Sequence, residues 1–132
     1  METAELTLRT RQRSELQPIT PQLHDLIRLH GWQDGILTVF VPHTTAGVTI
    51  NENADPDVAC DMTRFMEQLV PNAPGFRHAE GNSDAHIKAS LFGSSVQVMV
   101  RGGKLWLGTW QGVYFCEFDG PRSRTVQLAF QG

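Results

Sequence analysis

The hydrophobic positions change period several times along the chain, and each change marks an element. Leu6 and Leu8 alternate with Thr7 and Arg9, the two-residue period of a half-buried strand, and Ser14 to Ile19 is expected to pair with it as a short second strand. Thr20-Pro21 opens a helix, since a threonine oxygen caps free N–H groups and proline loses no hydrogen bond at the first helical position. Leu23, Leu26, Ile27 and His30 trace one face of it, and Gly31 ends it. Ile36 to Val41 is apolar, aromatic or β-branched throughout, which predicts a central strand covered on both faces. Pro42 interrupts the ladder before a strand over Thr45–Asn51. Asp55-Pro56 repeats the cap-plus-proline signal, and Val58, Met62, Phe65, Met66 and Leu69 form the buried stripe of a second helix.

From Pro71 to Asn82 the chain is dense in proline, glycine and asparagine and reads as a loop. Ser83 is expected to cap a short helix that runs through about Leu91 and stops at Gly93. Val96, Val98 and Val100 then alternate with polar residues, and Arg101-Gly102-Gly103-Lys104 is a hairpin turn returning into a strand over Leu105–Trp110. Val113 to Phe118 and the run Val126, Leu128, Phe130, joined by a turn at Asp119-Gly120-Pro121, complete what reads as an antiparallel meander. No repeat or linker interrupts this order. The pattern predicts one α+β domain over residues 1–132, with about eight mainly antiparallel strands in a sheet or sandwich and two to three helices.

Composition narrows the function. Forty per cent of the 132 residues are apolar, enough for one core without disulfide or metal staples. Eleven basic against 14 acidic side chains leave 11 − 14 = −3, with no basic block, which argues against a nucleic-acid partner. Cys60 and Cys116 are too few and too far apart for a disulfide framework, and a reducing cytoplasm suits them. The N-terminal residues lack the apolar stretch of a signal peptide, and nowhere do about 18 apolar residues run together, so no membrane is expected. Neither G-x-G-x-x-G nor G-x-x-x-x-G-K-[ST] occurs, which removes the usual support for dinucleotide and P-loop folds.

Three segments carry candidate chemistry at element boundaries. His43, with Thr44-Thr45-Ala46 after it, ends a buried strand, where it serves either as a ligand or as a strand-end histidine bonded to a backbone carbonyl. His78 and His86 stand eight residues apart across a loop and a helix start, and with His43 as third donor they would make a metal site; Glu80 or Asp84 would support it or act as a base. Imidazole plus carboxylate suits zinc, iron, nickel or copper, with zinc favoured. Arg122 and Arg124, two apart, could share a side and hold a phosphate, although Arg122 could equally pair with Asp119 within the turn. Gly93-Ser94-Ser95 offers amides and hydroxyls to an anion, Trp110 a stacking face, and Lys88 either a phosphate contact or an i,i+4 pair with Asp84. Cys60 and Cys116 read as small core or sheet residues. Trp32, Trp106, Trp110, Met99 and Phe92 exceed what the outward positions of one small sheet need, and some are expected to be interface anchors.

Taken together, HTTAGVTINE, HAEGNSDAHIKASLFGSS and GKLWLGTWQGVYFCEFDGPRSRTV, in this order and spacing, resemble the YjbQ family of small bacterial and archaeal proteins over nearly the whole chain. The resemblance implies an α+β homotrimer with a polar pocket near the subunit interface and a secondary thiamine-phosphate synthase activity. It carries over His43, Glu52, His78, Asp84, His86, Trp110, Gln111 and Arg122. The hairpin carries Arg101-Gly102-Gly103-Lys104 where many relatives are expected to have an acidic residue before Gly-Lys, a departure that touches no candidate site residue.

The leading expectation is therefore a cytoplasmic transferase that joins a pyrimidine methyl diphosphate to a thiazole phosphate. Glu52, Asp84 and His86 would be catalytic, and Ser94, Ser95, Lys88, Trp110, Gln111, Arg122 and Arg124 would bind the phosphorylated substrates, with magnesium accompanying the diphosphate. A metal-dependent hydrolase or lyase on His43, His78 and His86, and a non-catalytic small-molecule- or metal-binding trimer, are the alternatives.

Overall fold

The computed structural model describes residues 1–132, and its strands form two antiparallel sheets. The strands are β1 (Glu2–Arg9), β2 (Glu15–Pro18), β3 (Gly35–Phe40), β4 (Ala46–Glu52), β5 (Ser95–Arg101), β6 (Lys104–Leu105), β7 (Gln111–Glu117) and β8 (Ser123–Gln131). The helices are α1 (Thr20–His30), α2 (Pro56–Leu69) and α3 (Ser83–Phe92). One sheet has the order β1-β8-β3-β5-β6 and the other β2-β7-β4. The α+β architecture with eight strands and three helices agrees with the sequence pattern. The way the C-terminal strands are shared does not. Only β5 and β6 form a hairpin; β7 crosses to the smaller sheet and β8 returns to the larger one between β1 and β3, so the last third is no meander.

The main core lies between the sheets. Leu37, Val39, Val98, Val126 and Leu128 meet Val48, Val113 and Phe115, and Leu23 and Ile27 of α1 join the same cluster. A second, smaller core on the far side of β7 joins Tyr114, Cys116 and Phe118 to Ala85 and Ala89 of α3. Strand β7 is therefore the one covered on both faces, with every residue from Gly112 to Glu117 buried. The expectation for Ile36–Val41 is corrected accordingly: β3 is central in its sheet, but Ile36 and Phe40 remain exposed on its outer face. A continuous apolar run says that a strand is near the core, not how many layers cover it.

Other local departures have similar causes. Residues 14–19 do not pair with β1; β2 pairs with β7 in the other sheet, because the corner at residues 10–14 carries the chain across. The strand expected over Leu105–Trp110 ends at Leu105, with a turn at 109–110. Ile19 rather than Thr20 is the N-cap of α1; the Thr20 hydroxyl instead accepts the Val113 N–H at 2.9 Å. Asp55 does cap α2, accepting from the Asp57 N–H at 2.9 Å. No residue of α2 is fully buried, however, and Phe65 and Leu69 of its apolar stripe are exposed. Asn82 rather than Ser83 stands at the N-cap of α3. Trp32 is core, stacked between His30 and Phe130, whereas Trp106, Trp110 and Met99 are exposed. Cys116 is buried as expected, and burial pushes its thiol up, but Cys60 is exposed.

Between the sheets, beside the apolar core, sits an ion pair. The Arg124 guanidinium of β8 binds the Glu117 carboxylate of β7, and both are essentially sealed from solvent. Glu117 also accepts from the Thr10 hydroxyl at 2.7 Å and from the Phe118 and Asp119 N–H groups at 3.1 and 3.0 Å. Although burial opposes ionisation, these donors hold the carboxyl below its ordinary range. Replacing Glu117 by Leu strands a guanidinium that cannot deprotonate, and should cost about 3–5 kcal/mol. Arg124→Met should cost less, since three other donors still stabilise the carboxylate. Urea denaturation of the two variants checks the order, and equal losses would contradict it.

Candidate functional site

Strand β3 ends at Phe40, and two residues of the extended connection later His43 takes over the hydrogen bonding that the next strand residue would have supplied. The Thr125 N–H of β8 donates to His43 Nε2 at 3.0 Å, and the Thr125 carbonyl lies 3.1 Å from the same nitrogen. A peptide N–H only donates, so Nε2 accepts in the neutral ring and the ring proton sits on Nδ1. Burial, then the cationic neighbour Arg124, hold His43 below the ordinary imidazole range; the Thr125 carbonyl and Glu117 act the other way, and Arg122 adds to the lowering. The strand-end reading of this histidine is the one realised, with a backbone N–H as partner.

Across from it lies α3. Gly47 of β4 lets this helix come close: a Cβ there would stand 2.6 Å from the Gly93 carbonyl. The carbonyls at the end of the helix face inward, Gly93 accepting the Val48 N–H at 3.1 Å and Ser94 the Val41 N–H at 2.7 Å. Between the two walls runs a groove of about 470 Å³, where His43, Thr44 and Ala46 face His86, Ser90 and Ser94. No carboxylate lines it. The His78 ring meets the His86 ring edge-on at 5.4 Å between centroids, with the Ser83 hydroxyl 3.2 Å from His78 Nδ1. Arg122 lies near enough to depress His43, with its guanidinium bonded to Asp119, whose carboxylate also accepts from Asn82 at the start of α3 at 2.8 Å.

Several sequence candidates are placed elsewhere or otherwise engaged. Asp84 and Lys88 are fully buried and paired at 3.1 Å; Arg13 grips Asp84 through two 3.0 Å bonds, and Glu67 binds Lys88 at 3.0 Å. These partners hold Asp84 and Glu67 below the ordinary carboxyl range against the opposing effect of burial. Asp84 is thus a clamp on α3 rather than a proton acceptor, and Lys88 cannot reach a substrate phosphate. Arg124 is removed from the phosphate-binding set for the same reason: its donors are taken by Glu117 and Thr45. Ser95 is exposed at the start of β5, outside the groove lining.

Glu52, Trp110 and Gln111 sit at the opposite end of the smaller sheet. Glu52 pairs with Gln111 whereas Ala46 pairs with Glu117, and six residue steps of strand span about 20 Å. There Glu52 accepts the Ala54 N–H at 3.0 Å, Gln111 accepts the Gly108 N–H at 2.8 Å, and the Trp110 ring is 64 % exposed. Within one chain these residues and the groove are separate. Nor do His43, His78 and His86 converge: no group of three or more His, Cys, Asp or Glu side chains is placed to hold a metal, and His43 keeps Nε2 on the backbone. Sequence reasoning named Thr44 only as a neighbour of His43 and missed Ser90, and both line the groove. Ser90 follows His86 by one helical turn, a spacing that was available as a signal.

The family model "UPF0047 protein YjbQ-like" matches residues 4–132. A UPF0047 protein of Methanocaldococcus jannaschii is 53% identical over 125 residues, covering 95% of this chain and 91% of the relative. YugU of Bacillus subtilis is 48% identical over 128 residues, covering 96% and 97%. The crystal structure of a YjbQ/UPF0047 protein from Clostridium acetobutylicum superposes with a TM-score of 0.93 at 49% identity, over 97% of this chain and 99% of the other. A Sulfolobus solfataricus protein of unknown function reaches 0.92 at 29% identity, over 99% and 96%.

His24 of α1 repeats the arrangement of His43, with Nε2 accepting the Leu105 N–H at 3.2 Å. Burial, then Arg28 and Lys104, lower its affinity for protons, while Asp25 opposes them. Both rings bind protons more weakly folded than unfolded, so the stability they contribute is complete above about pH 6.5 and is lost as pH falls below it. Urea midpoints measured between neutrality and pH 5 should fall for the wild type and fall less for His43→Asn. An unchanged midpoint would contradict the assignment.

Proposed function

Because this chain belongs to the YjbQ-like UPF0047 family, we propose that the groove between His43 and α3 binds a small phosphorylated metabolite, and that the reaction is thiamine-phosphate synthesis. The observation that supports this reading is the groove's lining. Imidazoles of His43 and His86 and hydroxyls of Thr44, Ser90 and Ser94 face one another with no carboxylate among them. Such a surface supplies hydrogen bonds to phosphoryl oxygens without repelling them. Arg122 lies near His43 and has donors beyond those that hold Asp119.

The chemistry asks for little more than that. The C–O bond of a pyrimidinylmethyl diphosphate breaks, pyrophosphate leaves with the electron pair, and the thiazole nitrogen forms a C–N bond to the methylene carbon. No net proton is exchanged, because the product nitrogen becomes a thiazolium. Donors on the departing pyrophosphate and exclusion of water from the cation are what the protein must supply. Magnesium would accompany the diphosphate as its counter-ion.

Assembly as a homotrimer belongs to the same reading. Phe65, Leu69, Leu91, Met99, Trp106 and Trp110 are exposed in the single chain, and a head-to-tail ring would cover apolar surface and bring the Trp110–Gln111 end of one protomer towards the groove of the next. Light scattering is expected to give three protomer masses.

The second reading is a metal-assisted hydrolase or lyase, favoured by the contact of His78 with His86. Glu80 Oε1 lies 3.8 Å from His78 Nε2, but no three His, Cys, Asp or Glu side chains are placed to hold a metal, and Glu52 and Asp84 are too remote or too engaged to act on a bound water. Purified protein incubated with the two thiamine precursors should yield thiamine phosphate and pyrophosphate. His86→Ala and Arg122→Ala should each lower the rate about tenfold to a hundredfold with unchanged circular dichroism. No product from the wild type refutes the synthase. Zinc that co-purifies in stoichiometric amount and is lost in both His78→Ala and His86→Ala would favour the metal reading instead.

A further inference from the structure

Arg122 stands close enough to His43 to lower its proton affinity, and it is held more firmly than a half-exposed arginine needs to be. Its main chain is pinned to Thr10: the Arg122 N–H donates to the Thr10 hydroxyl at 3.0 Å, and its carbonyl accepts the Thr10 N–H at 2.9 Å. Its guanidinium is gripped by a single residue. Nε donates to the Asp119 carbonyl at 2.9 Å and Nη2 to Asp119 Oδ2 at 3.0 Å, so the side edge of the fork is occupied within the turn. The end edge, formed by Nη1 and the second hydrogen of Nη2, meets no acceptor of the chain. Such an edge matches two oxygens of one phosphoryl group.

Asp119 is itself fixed from two sides. Its N–H donates to Glu117 Oε2 at 3.0 Å, which ties the turn to the inter-sheet ion pair, and Asn82 Nδ2 donates to its Oδ2 at 2.8 Å from the start of α3. Oδ2 therefore receives both the amide and the guanidinium. Capping does not account for the asparagine: its side chain makes no cap bond to the helix, and its Oδ1 is enclosed without a donor, an arrangement that costs stability. What the side chain does is hold Asp119. The Asn82 carbonyl meanwhile accepts the Ala85 N–H at 3.0 Å and the His86 N–H at 3.4 Å, so the same residue anchors the turn from which His86 enters the groove.

We propose that Asp119 and Asn82 are positioning residues, which hold the Arg122 guanidinium at a fixed offset from His86 so that the two engage one diphosphate group, Arg122 from the side of His43 and His86 from α3. This rests on the reading of the groove as a phosphate site. A free arginine reaches a phosphate only by ordering a long side chain, whereas one already held by Asp119 has its open edge in place before the ligand arrives. The sign of the effect is diagnostic. Asp119 is an acid beside an anion site, so on charge alone its removal should tighten anion binding. As a positioning residue, its removal should weaken it.

Calorimetric titration of the full chain with pyrophosphate and magnesium tests this without turnover. Arg122→Ala and Asp119→Ala should each weaken pyrophosphate about tenfold, and Asn82→Ala about threefold. Asp119→Asn, whose single acceptor oxygen can stand where Oδ2 receives both donors, should stay within about twofold of the wild type. The losses from Asp119→Ala and Asn82→Ala should vanish in the Arg122→Ala background, a non-additivity that general damage to the fold would not produce. Thermal unfolding shows which variants are folded, and where Asp119→Ala is not, Asn82→Ala, at the partly exposed start of α3, carries the same comparison. Unchanged or tighter binding in Asp119→Ala and Asn82→Ala, an Asp119→Asn variant no better than Asp119→Ala, losses that persist without Arg122, or no binding by the wild type each overturn the proposal. The precursor assay separates the two claims. Pyrophosphate binding that depends on Asp119, with no thiamine phosphate formed, supports the positioning and removes the synthase; thiamine phosphate formed by the wild type, with Asp119→Ala binding pyrophosphate just as tightly, removes the positioning alone.

Discussion

The clasp between Arg124 and Glu117 fixes how the two sheets meet, and the candidate groove inherits its geometry. Arg124 belongs to the five-stranded sheet and Glu117 to the three-stranded one, so their contact spans the layers. Thr10 at the end of β1 and Thr45 before β4 bind the same pair, drawing both edges of that end together. A buried pair of this kind adds little net stability over apolar packing, because desolvation offsets most of the attraction. Its value here is positional. Apolar surfaces slide over one another at small cost, whereas a sealed guanidinium and carboxylate tolerate only the arrangement in which each meets the other.

The next residue along β8 carries that constraint to the surface. Arg124 points inward to the clasp, and the backbone of Thr125 receives His43. One wall of the groove is therefore one residue removed from the inter-sheet lock. The other wall is set by a second buried network, in which Arg13 and Glu67 hold Asp84 and Lys88, and so α3, from the corner and from α2. His86 and Ser90 project from the helix that these pairs anchor. The four buried charged residues, Asp84, Lys88, Glu117 and Arg124, all hold elements together, while the groove between them is lined by imidazoles and hydroxyls.

That division bears on function. Asp84, which looked free in the sequence, is engaged with Arg13 and Lys88, and the groove is left with imidazoles and hydroxyls. His43 is kept neutral by burial and by Arg124, which suits a donor through Nδ1 rather than a cationic clamp. Such a lining offers positioned hydrogen bonds together with imidazole nitrogens.

Period and punctuation in the sequence located every helix and seven of the eight strands to within a few residues, because alternation, proline and glycine act locally; the strand expected over Leu105–Trp110 is only β6, Lys104–Leu105. They also placed His43 and His86 at element boundaries and offered Ser94 as an anion contact, and all three line the groove. Partnership was not legible. That β7 rather than β3 is covered on both faces, that β2 joins β7, and that the C-terminal strands divide between sheets depend on contacts between residues far apart in the chain. The same holds for Asp84, Lys88 and Arg124: a charged residue in a sequence looks available, and only burial against Arg13, Glu67 and Glu117 shows that it is engaged. Local order in this chain follows from backbone sterics and side-chain periodicity, which neighbours in sequence settle. The sites follow from which polar groups the tertiary packing leaves without a partner.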